Sequence, residues 1–181
     1  MRTRFGLVTV VAWLWAGSLA ADDGFKHFEN SIVPLPRSPE VKTAALSAKA
    51  RQRRLNLHFA LDASHQQELE SRVARGEVVP AEEMKHRYAG DEQSVKKLLA
   101  WLRSQGFRIL ETTPGFTDVY VSASVARIEK SLHVKMVAVT SAGETAPAAV
   151  TAPRLPHGVA DAVVSIGGLQ PFNHPITRPL Q

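Results

Sequence analysis

The chain has 181 residues, of which 44% are hydrophobic and 22% charged, with a formal net charge of +5. That balance excludes wholesale disorder, and the length suits one ordinary domain with extended ends. Cysteine is absent, which excludes disulfide staples, thiol catalysis and cysteine-ligated zinc or iron–sulfur sites.

Residues 1–20 have the layout of a secretory signal. Arg2 and Arg4 precede an apolar stretch over 5–15, and Ala16, Gly17, Ser18 and Ala20 lead to the acidic Asp22 and Asp23. The apolar run is shorter than the ~20 residues a spanning helix needs. The expectation is cleavage after Ala20, no stable membrane anchor thereafter, and a secreted or periplasmic location. Losing Arg2 and Arg4 lowers the formal charge of +5 by two, so charge gives little support to a nucleic-acid partner.

Residues 21–53 read as a flexible lead-in. Pro34, Pro36 and Pro39 interrupt regular structure, and an alanine- and lysine-rich stretch over 41–50 allows a short helix. Arg51, Arg53 and Arg54 form a basic cluster. A processing site, a phosphate-binding patch and a plain solvated linker are all compatible with it.

The ordered part is expected from Arg54. Leu55, Leu57, Phe59 and Leu61 alternate with Asn56, His58 and Ala60, the period of a half-buried strand. Asp62 or Ser64 is positioned to cap a helix carrying Leu69 and Val73 on one face, with Gly76 as its stop. Pro80 fits the first turn of a short helix reaching Tyr88. Asp91 then caps a stronger helix whose Val95, Leu98, Leu99 and Leu102 form one apolar stripe ending at Gly106.

Strands are predicted over 107–112 and 117–122, joined by Thr113, Pro114, Gly115 and Phe116. Proline then glycine at the centre of four residues specifies a type II turn. Ser124 caps a helix with Val125, Ile128 and Leu132 inward, and the segment 134–140 is the last clear strand. The order is that of a ferredoxin-like βαββαβ sandwich over 54–140, an α+β fold with an antiparallel four-stranded sheet and helices on one face. The remainder is expected to be an Ala-, Thr- and Pro-rich loop and an apolar segment over 141–169, ended by Gly167, Gly168 and Leu169, then an extended tail over 170–181.

Catalytic signatures are missing. There is no Gly-x-Ser-x-Gly elbow and no His-Glu-x-x-His pair, and the seven histidines lack ligand spacing. Glu82, Glu83, Asp91 and Glu92 lie where acidic groups favour helix starts. An RNA-recognition domain shares the element order but stacks bases on several strand aromatics; the segment 117–122 offers only Tyr120.

Taken together, residues 54–172 resemble the activation propeptide of the sedolisins, the kumamolisin-like serine-carboxyl peptidases. The likeness rests on the alternating leucines of the first strand and on Pro80-Ala81-Glu82-Glu83-Met84 leading to Tyr88. It extends through the helix with Trp101-Leu102 and Gly106-Phe107, the strand and helix over 119–132, and the closing Leu155-Pro156, Val163-Val164 and Gly167-Gly168-Leu169. One departure is Gly76-Glu77-Val78-Val79 in place of the family's proline-x-tyrosine-glycine element.

The resemblance implies a non-catalytic chaperone and inhibitor of a secreted acid serine peptidase, bound to that catalytic domain in cis or in trans. It leaves open a piece of a longer zymogen and a free-standing secreted inhibitor. It implies no cofactor in this chain, since the family's calcium site belongs to the catalytic domain, as does its triad. The sheet face away from the helices would be the docking face, with Asn56, His58, Tyr120 and Ser122 on it. Leu169, Pro171 and Phe172 would belong to a tail entering the cleft as an extended strand. Acid release is expected from protonation of carboxylates and His58 across that interface.

Overall fold

The computed structural model of the protein describes residues 24–141 and 143–170. The signal expected over 1–20 and the tail residues Pro171 and Phe172 lie outside the described residues. No described helix is long and apolar enough to cross a membrane.

The elements run β1 (Phe25–His27), β2 (Lys42–Ala44), α1 (Ala48–Gln52), β3 (Arg54–Leu61), α2 (Gln66–Ala74), α3 (Ala81–Arg87), α4 (Glu92–Ser104) and β4 (Arg108–Thr112). They continue β5 (Asp118–Ser124), α5 (Val125–Ser131), β6 (Met136–Ser141), β7 (Glu144–Ala149), β8 (Arg154–Pro156), α6 (His157–Ala160) and β9 (Val163–Gly167). Four strands form the main sheet in the order β4-β5-β3-β9, every neighbouring pair antiparallel. Numbered as the strands of a βαββαβ unit this is 2-3-1-4, the ferredoxin-like order expected from the sequence.

The core lies between this sheet and the helices. Leu57 and Phe59 of β3, Val119 and Val121 of β5 and Ile166 of β9 meet Val95, Leu98 and Leu102 of α4 and Val125 and Ile128 of α5 in one cluster. Burying each of the larger side chains contributes roughly 1.5–3 kcal/mol. Local signals act as expected at several points. Asp91 accepts the Ser94 N–H at 2.8 Å and starts α4, and Ser124 caps α5. Gly115 has φ +83°, and Phe116 N–H closes on the Thr113 carbonyl at 3.0 Å, the turn that the Pro-Gly pair specifies.

Four expectations need correction. The strand that closes the sheet is β9, not the segment 134–140. β6 instead pairs with β2 and β7 in a separate three-stranded sheet. The reason is registry: Val163 and Ile166 face Leu61 and Phe59 across the ladder and carry apolar bulk to the core, as the fourth strand must. Second, the segment expected to be a loop after Ser141 holds β7, whose Ala148 and Ala149 are fully buried; their small side chains let this hairpin pack closely.

Third, the lead-in is not loose. Phe28 and Leu46 are buried, β1 pairs with β8, and α1 is capped by Ser47. Arg51 pairs with Glu129 at 3.4 Å, and the Arg54 guanidinium binds Ser122, so these two members of the basic cluster serve the fold. Fourth, α2 does not present Val73 to the core; that side chain is exposed. Ser64 gives its hydroxyl to the Ala89 carbonyl at 2.6 Å instead of capping, and His65 starts α2 in the left-handed region.

Candidate partner-binding face on the sheet

The alternation in β3 divides its side chains cleanly. Leu57, Phe59 and Leu61 are buried toward the helices, while Asn56, His58 and Ala60 stand on the other face. Cross-strand registry then sets their neighbours: Asn56 lies opposite Ser122, and His58 opposite Tyr120. The His58 and Tyr120 rings are 6.0 Å apart between centroids and tilted by 32°.

The same row continues to both edges. Gly167 of β9 lies opposite His58, and Glu111 of β4 opposite Tyr120. Gly167 is there for a steric reason. A Cβ on it would lie 2.0 Å from His58 Cε1, so the imidazole occupies the space a side chain would take. Gly168 makes the second close approach: its φ is +86°, and a Cβ would lie 2.4 Å from the Asn56 carbonyl oxygen.

Arg54 closes one end of the face. Its Nε donates to Ser122 Oγ at 3.2 Å and its Nη2 to the Ser122 carbonyl at 2.7 Å. Ser122 is therefore 6% exposed and lies beneath the guanidinium rather than free. Leu169 leaves the candidate set altogether. Its side chain is fully buried, and its carbonyl accepts the Ala149 N–H at 2.9 Å. Of the sequence-predicted residues the structure thus assembles Asn56, His58 and Tyr120, covers Ser122, and places Leu169 in the core.

Arg54, Arg108, Glu111 and Gly167 also lie on this face, where the sequence alone did not place them. Arg108 lies opposite Ser122 and Glu111 opposite Tyr120, although their spacing is odd, because a register shift falls between Ile109 and Glu111. Simple alternation along β4 could not have put both on one face. What results is a surface of one tyrosine, one histidine, two arginines and one exposed carboxylate. Such a mixture suits protein recognition, where Tyr and Arg dominate.

A second polar group lies between α2 and α3. Arg72 binds Glu83, donates to the Tyr88 hydroxyl at 2.9 Å and reaches Glu77 at 2.8 Å, while Tyr88 donates to Glu68 at 3.0 Å. Glu83, Tyr88 and Glu77 together raise Arg72 above the ordinary guanidinium value. The Arg87 guanidinium holds Glu68 below the usual carboxylate range, and Arg72 with Arg75 does the same for Glu77. This network stitches two helices together and contains no nucleophile paired with a base. Among the described residues no group of three His, Asp or Glu side chains is placed to hold a metal ion.

Comparison with known families matches the sequence to the Pro-kumamolisin, activation domain, over residues 43–172. No match was found among curated proteins. The matched segment takes in β3, both core helices, the sheet face and the two glycines that shape it. The chain belongs to the pro-kumamolisin activation domain family, the propeptides of sedolisin-like peptidases.

Proposed function

We propose that the chain is a non-catalytic, secreted propeptide that chaperones and inhibits an acid-acting serine peptidase. It docks the open face of the β4-β5-β3-β9 sheet on the catalytic domain, within the same chain or another, and needs no cofactor of its own. The observation that carries this reading is the uncovered row Gly167, His58, Tyr120 and Glu111, which crosses all four strands on the face away from the helices. A sheet with only one side packed leaves the other for solvent or for a partner. Here Tyr120, Arg108 and Glu111 are exposed side by side on it. Acid is taken to weaken the complex through the charged groups that would lie across this interface.

The test is inhibition of a sedolisin-type peptidase by the purified chain, followed from neutral to acidic pH. The double variant His58→Ala/Tyr120→Ala is expected to raise the inhibition constant by about 30-fold, the loss of one or two central interface anchors. Absence of inhibition by the wild-type chain, or an unchanged constant in the variant, would refute the reading.

A further inference from the structure

The two edges of the four-stranded sheet are guarded differently. β4 carries its own charges, Arg108 and Glu111, which discourage edge pairing. β9 consists of Val163, Val164, Ser165, Ile166 and Gly167 and carries none. Its outer backbone groups are met by side chains from the lead-in. Asn30 Nδ2 donates to the Val164 carbonyl at 3.2 Å, Ser31 Oγ accepts the Ile166 N–H at 2.8 Å, and Lys26 Nζ donates to the Val163 carbonyl at 3.0 Å.

The segment that supplies them is held at both ends. β1 pairs with β8, and Phe28 is 2% exposed with its N–H on the Pro153 carbonyl at 2.9 Å. Further on, Val33 exchanges both backbone groups with the Gln170 amide, at 2.8 and 2.9 Å. This strap precedes the family-matched segment 43–172. Its bonds to β9 are side-chain bonds, individually modest and replaceable by a backbone ladder.

We propose that residues 25–33 are a strap over a self-association edge, and that β9 pairs with β9 of a second copy of this chain when the strap is displaced. An antiparallel β9–β9 pair about a two-fold axis is self-complementary and joins two sheets into one of eight strands. The occupant follows from the strand. It is uncharged, so two copies meet without like-charge repulsion, and it is rich in β-branched residues, with Val164 39% exposed. The inference does not depend on the peptidase reading.

The test uses the full chain carrying Ser31→Ala/Val33→Pro, which removes the acceptor of the Ile166 N–H and the Val33 N–H bond to Gln170, so that residues 29–33 can lift from β9 while Phe28 stays buried. Amide exchange at Ile166 is followed together with sedimentation velocity over a wide concentration range. At low concentration the Ile166 amide is expected to exchange roughly tenfold faster than in the wild type. As concentration rises a dimer should form and protection of that amide return. Adding Val164→Lys to the double variant should restore the monomer at every concentration. Ile166 exchange unchanged in the double variant would overturn the strap. A species that stays monomeric despite fast exchange, or a dimer in which Ile166 remains unprotected, would overturn the β9 edge.

Discussion

Gly167 and Gly168 are adjacent, yet alanine should act on them through different causes and to different extents. At Gly168 the φ of +86° disfavours any side chain, by ~1–2 kcal/mol in the left-handed region. The new Cβ would also lie 2.4 Å from a backbone oxygen, that of Asn56, and backbone cannot rotate aside. The chain must shift against β3, bringing the total to roughly 2–4 kcal/mol. For a chain of this size that corresponds to a melting temperature lower by roughly 4–16 °C. At Gly167 φ is not positive and the obstacle is a side chain, the His58 ring at 2.0 Å. Turning His58 to an unfavourable rotamer costs about 0.5–1.5 kcal/mol, so Gly167→Ala should melt within roughly 6 °C of the wild type. It should nevertheless lose the contact between His58 and Tyr120. Thermal unfolding by circular dichroism gives the first comparison, and the ring-current shift of the His58 Cε1 proton gives the second. Equal losses of melting temperature in the two variants, or an unmoved His58 resonance in Gly167→Ala, would refute the reasoning.

Gln170 provides a sharper polar test, because its amide donates to the Val33 and Ala149 carbonyls at 2.9 Å each and accepts the Val33 N–H. Gln170→Glu keeps the acceptor, removes both donors and sets a buried charge against two carbonyl oxygens. Denaturant unfolding at neutral pH should show a loss of about 3–5 kcal/mol, and a variant as stable as the wild type would contradict the assigned contacts. Acid should act on the link between α2 and α3. Glu68 and Glu77 have folded values held below the ordinary 4.5 by Arg87 and by Arg72 with Arg75. Their contribution is therefore present above the unfolded value and is lost as pH falls through the depressed folded values. Urea unfolding between neutral and strongly acidic pH should show this decline, and Glu68→Gln/Glu77→Gln should flatten it; an identical acid limb in the variant would exclude these two carboxylates as its source.

What was legible in the sequence follows from the range of the signals. β3 and α4 announce themselves because burial on one face imposes a short period, two in the strand and three or four in the helix, and both periods survive intact. Asn56, His58 and Tyr120 came with that alternation, since a strand's phase fixes its faces. The Pro-Gly turn at Thr113–Phe116 is equally local. Glu111 and Arg108 were hidden because a register shift changes phase within β4, and nothing in five residues records where the extra one falls. α2 misled for a related reason. Leu69 and Val73 have helical spacing, yet the buried partner on that side is Tyr88, whose hydroxyl calls for Arg72 and Glu68 in place of an apolar stripe.

The closing strand was hidden by distance. Val134–Thr140 and Val163–Ile166 are both apolar, β-branched segments after α5, and composition offers no reason to prefer the second. The choice is made by what each meets. Phe59 and Leu61 need apolar partners beside them, and Ile166 and Val163 supply these in register, while Gly167 leaves room for the His58 ring on the other side. β6 has its own partners in Lys42–Ala44 and Glu144–Ala149. Gly-Gly at the end of an apolar run therefore carried information that read as a mere turn. One glycine makes space on the sheet face and the next bends the chain over Asn56, so the pair identifies the strand that must lie beside β3. The face proposed to bind a peptidase thus takes its shape from residues over a hundred positions apart, and a substitution at Gly167 should alter it by moving the His58 ring.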